Sequence, residues 1–183
     1  MRRWPIIVSI ALALGALSGA AAYQQVGPRQ DQRQAEWREI AWPFPRDGWP
    51  AGKAFRCDTA ACGREVAIYV RPKIGFCNCD RGVEDDDEVD RVADVDLINE
   101  RFVPLRTGQV IRVADMPGRI RMYALPPAAS PRHAVGIAVS RGCDLLVAVA
   151  HGNGDESKMR RAALAFLETS EMTRWVMAAM EGR

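Results

Sequence analysis

The sequence predicts an α+β domain: an antiparallel sheet meander flanked by helices and stabilised by disulfides. Three observations lead there. Stretches of two-residue alternation recur between residues 65 and 150. Two segments with helical spacing frame them. Five cysteines follow an N-terminal segment that reads as an export signal.

That segment is residues 1–22. Arg2 and Arg3 form a short basic start, Ile6 to Leu17 is apolar, and Gly19-Ala20-Ala21-Ala22 supplies a small-residue cleavage pattern. The mature chain is expected to begin near Tyr23, with a periplasmic or secreted location. The alternative is an uncleaved anchor, since Trp4 to Ala22 carries no charge and could just span a bilayer. Residues 23–50 read as a Gln/Arg-rich tether and a Pro/aromatic arm, and 51–183 as a single α+β domain. Within the arm, Trp42-Pro-Phe44-Pro-Arg-Asp-Gly-Trp49-Pro forbids helix interior and central strand. Its aromatics either plug the domain edge or offer a stacking platform for a sugar or peptide.

The strands follow in order. Glu65 to Val70 places Val66, Ile68 and Val70 on one face, and Lys73 to Cys79 reads as a further strand. Gln109 to Ala114 and Arg119 to Leu125 alternate on either side of a turn expected at Met116-Pro117-Gly118. Ala134–Ser140 and Cys143–Ala150 are apolar runs joined at Arg141-Gly142, predicting a hairpin buried on both faces. Helical spacing appears in 84–99 through Val89, Val92, Ala93 and Leu97, with an acidic first turn. It returns in 155–180, where Met159, Ala162, Ala163, Phe166 and Leu167 form one stripe. Trp175, Val176, Ala179 and Met180 form another, with Ser170 as the expected cap between them.

The stretch Gly108 to Trp175, with its long strands, Arg141-Gly142 between two of them and a closing Ser170-x-x-x-x-Trp175 helix, resembles the Mog1/PsbP-like fold. That resemblance implies a small binding or assembly-factor domain without catalysis. Arg71 to Asp96, with Gly75-Phe76-Cys77-Asn78-Cys79, resembles exported proteobacterial proteins of unassigned function.

For an exported chain, Cys57, Cys62, Cys77, Cys79 and Cys143 are disulfide candidates first, and an odd count leaves one over. Cys57–Cys62 closes a short loop. In an extended strand Cys77 and Cys79 lie about 6.6 Å apart, near the limit for a bridge, so one of them is expected to bond Cys143 or the first pair. The second reading is a metal site: Cys77 and Cys79 would suit Cu(I), while C-x4-C with C-x-C fits zinc spacing poorly. The third is thiol redox chemistry through the same pair.

Twenty-five basic and 23 acidic residues leave a net charge of +2, and Arg2 and Arg3 account for it, so the mature chain is neutral. Nothing in that balance calls for nucleic acid. The expected partner is another exported or membrane protein; the membrane itself enters only if the leader stays attached. Charge is polarised, with ten acids and two arginines in 80–100 and five arginines and one acid in 101–121. A solvated acidic helix face paired with neighbouring arginine strands explains this better than a calcium loop. No nucleophile elbow, phosphate loop or zinc-protease motif is present in the sequence. Trp42, Phe44, Trp49, His133 and His151 are the binding candidates, and no catalytic residue is nominated.

Overall fold

A computed structural model describes residues 36–75, 79–126 and 132–181. The leader, most of the tether, Cys77 and the Pro-rich segment 127–131 lie outside the described residues. Eight strands form a single sheet: β1 (Arg38–Ile40), β2 (Lys53–Cys57), β3 (Val66–Lys73), β4 (Val103–Pro104), β5 (Gln109–Val113), β6 (Met116–Ala124), β7 (His133–Arg141) and β8 (Asp144–Gly152). The strand order is β1-β2-β3-β8-β7-β6-β4, with β5 also on β6, and every pairing is antiparallel. Among the described residues four helices flank it: α1 (Asp86–Val92), α2 (Val95–Ile98), α3 (Glu156–Leu167) and α4 (Ser170–Glu181). The predicted α+β class is what the chain forms.

The sheet is covered on both faces. Val66, Ile68, Val70, Ile120, Met122, Val135, Ile137, Leu146 and Ala148 form one core with Met159, Ala163, Phe166 and Leu167 of α3 and Met172, Val176 and Met180 of α4. The intervening residues Tyr69, Ala134, Ala138, Val147, Val149 and Tyr123 face the other way, against Val89, Val92, Ala93 and Val95. Burial on both faces is why β7 and β8 read as nearly continuous apolar runs.

Several local expectations are corrected. Within the segment read as a tether, Arg38–Ile40 adds a strand to β2. Of the strand expected over Lys73–Cys79, Lys73 is the end of β3, which runs on through Arg71 and Pro72; Ile74 and Gly75 form a turn, and residues 76–78 lie outside the described residues. Proline is tolerated there because β2 pairing stops at Val70, leaving that flank of β3 without a ladder partner. The β5–β6 turn is Ala114-Asp115, both at positive φ, two residues before the expected position. Pro117 and Gly118 are strand residues, paired with Arg112 and Ile111. The β7–β8 turn is Gly142-Cys143, with Gly142 at φ +58°.

The single helix expected over 84–99 is two. Asp85 caps α1 by accepting from the Glu88 amide at 2.8 Å. The break falls at Asp94, whose φ is +58°. An aspartate tolerates that left-handed conformation better than most residues. The cap between α3 and α4 is Thr169 rather than Ser170: the Thr169 hydroxyl accepts from the Met172 amide and donates to the Phe166 carbonyl.

Candidate functional site: an aromatic and arginine cleft at the sheet end

Cross-strand register builds the site. On the face that carries α1 and α2, Arg56, Ala67, His151 and Ala134 form one row across β2, β3, β8 and β7. The next row on that face runs Ala54, Tyr69, Val149 and Gly136. Ala67 is the small residue between Arg56 and His151, so the sheet is low at that point. A cleft of about 360 Å³ opens there, lined by Arg56, Tyr69, Arg132 and His151, with Asp58 and Glu65 among its other residues.

Three of the five binding candidates meet at Tyr69, one of the cleft residues. His151 stacks on Tyr69 with ring centroids 5.7 Å apart and planes 14° from parallel. Trp42 and Phe44 pack edge-on against Tyr69, at 6.0 and 4.7 Å. The Pro/aromatic arm therefore packs over a face of the sheet, and Tyr69, which the sequence did not single out, is the ring it packs against. The two remaining candidates lie elsewhere. Trp49 sits over the Lys73 ammonium, 5.8 Å from the ring centre. His133 faces α3, where its Nε2 is 3.0 Å from the Glu156 carboxylate. Its Nδ1 is buried with no hydrogen-bond partner among the described residues.

The electrostatics of His151 follow from its neighbours. Burial foremost, then the guanidinium groups of Arg132 and Arg56, lowers its pKa to about 4. The ring is therefore neutral at neutral pH. An Arg132 guanidinium nitrogen lies 3.3 Å from Nδ1. A guanidinium only donates, so Nδ1 accepts and the ring proton resides on Nε2. Burial also raises the Tyr69 pKa.

The arm is clamped by a buried ionic cluster. Arg71, 3% exposed, donates to both oxygens of Asp94 at 2.6 and 2.8 Å and to both oxygens of Asp47 at 2.9 and 2.8 Å. Lys73 donates to Asp94 at 2.7 Å and to the Val92 carbonyl at 2.8 Å. One arginine thus ties the arm, through Asp47, to the α1–α2 break, through Asp94. Sequence alternation carried the signal for this cluster: Ala67, Tyr69, Arg71 and Lys73 occupy every second position of β3, so they must share a face.

The acidic and basic blocks meet as expected. Arg119 reaches Asp86 at 2.6 Å, Arg121 reaches Asp90 at 2.7 Å, and the Tyr123 hydroxyl donates to Asp90 at 2.7 Å. Among the described residues no group of three or more His, Cys, Asp or Glu side chains is arranged to hold a metal.

The cysteines form Cys57–Cys62 and Cys79–Cys143 disulfides. The second is the long-range option among the alternatives the sequence left open. With its sulfur bonded to Cys143, Cys79 offers no thiolate for Cu(I) in this state; Cys77 lies outside the described residues. The Cys57–Cys62 bridge sits in the loop that carries Asp58 and Glu65 to the cleft, where Gly63, Arg64 and Glu65 all take positive φ.

No protein-family model and no curated protein matches the chain. Among solved structures, PA94, a protein of unknown function from Pseudomonas aeruginosa, aligns over 81% of this chain and 98% of its own. The identity is 9% and the TM-score 0.39.

Proposed function

We propose that this chain is an exported, non-catalytic binding or assembly-factor domain acting on another exported or membrane protein, with disulfides fixing its frame. The observation that carries the reading is the pair of disulfides, because such bonds persist in oxidising compartments and are reduced in the cytosol. The leader pattern of residues 1–22 supports it, as does the resemblance of Gly108–Trp175 to Mog1/PsbP-like domains. A binding role is supported by the cleft, where Arg56, Arg132 and His151 gather beside the Tyr69 ring.

The test is expression of the full chain in a Gram-negative host, followed by fractionation and disulfide mapping by mass spectrometry. The expected product is periplasmic, cleaved after Ala22, and bridged as Cys57–Cys62 and Cys79–Cys143. Retention in the cytoplasm with all thiols reduced would overturn the reading.

A further inference from the structure

We propose that the Arg56–Arg132–His151 cleft binds the oxyanion headgroup, carboxylate or phosphate, of a small molecule. The inference goes beyond the protein-binding reading above.

Three kinds of observation converge. The first is a pair of cations without a carboxylate partner. Arg56 and Arg132 both line the cleft, and no carboxylate pairs with either among the described residues. Elsewhere on the same face the arginines are matched: Arg71 with Asp47 and Asp94, Arg119 with Asp86, Arg121 with Asp90. A guanidinium presents a planar fork that suits a carboxylate or a phosphate.

The second is the state of the histidine. Its Nδ1 faces Arg132, so Nε2 is a neutral N–H donor with no partner among the described residues. Low pKa keeps the ring in that form through the neutral range. Two cations and one fixed neutral donor at one end of a cleft describe an acceptor-only guest.

The third is shape. Ala67 leaves the floor low between Arg56 and His151, and the stacked Tyr69–His151 pair makes a wall. The volume, about 360 Å³, exceeds what a bare headgroup needs, leaving room for a ring-sized body.

Asp58 and Glu65 limit the guest. Asp58 is 3.5 Å from Arg38, and Glu65 is an exposed residue of the loop that follows the Cys57–Cys62 bridge. Two acids at the cleft repel any extended polyanion. A compact headgroup, met by Arg56, Arg132 and His151, is accepted.

The experiment is an NMR titration of the oxidised, processed chain, following the His151 ring and backbone amides, with benzoate and inorganic phosphate as separate probes. Saturable shifts at His151, Tyr69 and Arg132 with benzoate alone identify a carboxylate site. The same shifts with phosphate alone identify a phosphate site, and with both, recognition of the headgroup itself. Arg56→Gln and Arg132→Gln should each weaken the affinity about tenfold or more, as expected for a charge-assisted contact. Arg174→Gln, on the exposed side of α4, should leave it within about twofold. The proposal is overturned if neither probe gives a saturable shift at millimolar concentration, or if Arg174→Gln weakens binding as much as the cleft variants. Those failures leave fractionation and disulfide mapping untouched, so the export reading stands or falls separately.

Discussion

His151 and Asp47 make acid stability a property of single residues. The folded-state pKa of His151, about 4, lies below the ordinary value of 6.5 because burial and two nearby arginines disfavour its charged form. Folding therefore excludes a proton that the unfolded chain would bind. The resulting stability is complete above pH 6.5 and falls as pH drops toward 4, by an amount on the order of 3 kcal/mol. Denaturant unfolding between pH 7 and 4 should show this slope, and His151→Gln should flatten it. Asp47 adds a second step. The hydrogen bonds from Arg71 hold its pKa at about 2, below the model-peptide value of 3.8. Its contribution is present above pH 4 and is lost as pH falls toward 2. Asp94 carries a larger load. Asp94→Ala leaves the buried Arg71 and Lys73 short of their shared carboxylate, and should cost about 3–5 kcal/mol in equilibrium unfolding. Asp47→Asn should cost clearly less, because Asp47 is partly exposed and Arg71 keeps Asp94.

Elements pack here because small residues face helices. Gly136 lies under α1 and α2: an added Cβ would stand 2.9 Å from the Tyr123 ring, 3.0 Å from the Ala93 Cβ and 3.2 Å from Val95. Gly136→Val should therefore push the two helices off the sheet and destabilise by about 1–3 kcal/mol, read from thermal or urea unfolding. Element identity was legible wherever period and burial agreed. The α3 stripe Met159, Ala162, Ala163, Phe166 and Leu167 is buried as its spacing predicts. The pairing of acidic helix with arginine strand was also readable, because opposite charge blocks adjoin in sequence. Boundaries were not, and each misplaced one has its own cause. Asp94 ends α1 because its carboxylate is drawn to Arg71 and Lys73 from a strand more than twenty residues away. The β5–β6 turn needed two positive-φ residues, and Ala114 supplies one against its own preference, a choice that local sequence rules do not favour. Trp42, Phe44 and His151 stood out by residue type. Their assembly around Tyr69 depends on the β3–β8 pairing, which joins segments about 80 residues apart.

At the scale of the whole molecule, the two disulfides differ in what they constrain. Cys57–Cys62 spans five residues and Cys79–Cys143 spans 64. Loop-closure entropy gives roughly 2 kcal/mol for the first and roughly 4 kcal/mol for the second. Cys143→Ser should therefore lower the unfolding free energy more than Cys62→Ser, while Cys62→Ser should disturb the cleft more, because its loop carries Asp58 and Glu65. The long bridge has another effect. It closes residues 79–143 into a covalent ring that contains α1, α2, β4, β5, β6 and β7. A protease that cuts one peptide bond anywhere inside that ring produces two chain ends but not two molecules. The fragments stay joined, migrating together on a denaturing gel until a reductant separates them. Whatever compartment holds the chain, a single nick within the ring cannot release either half.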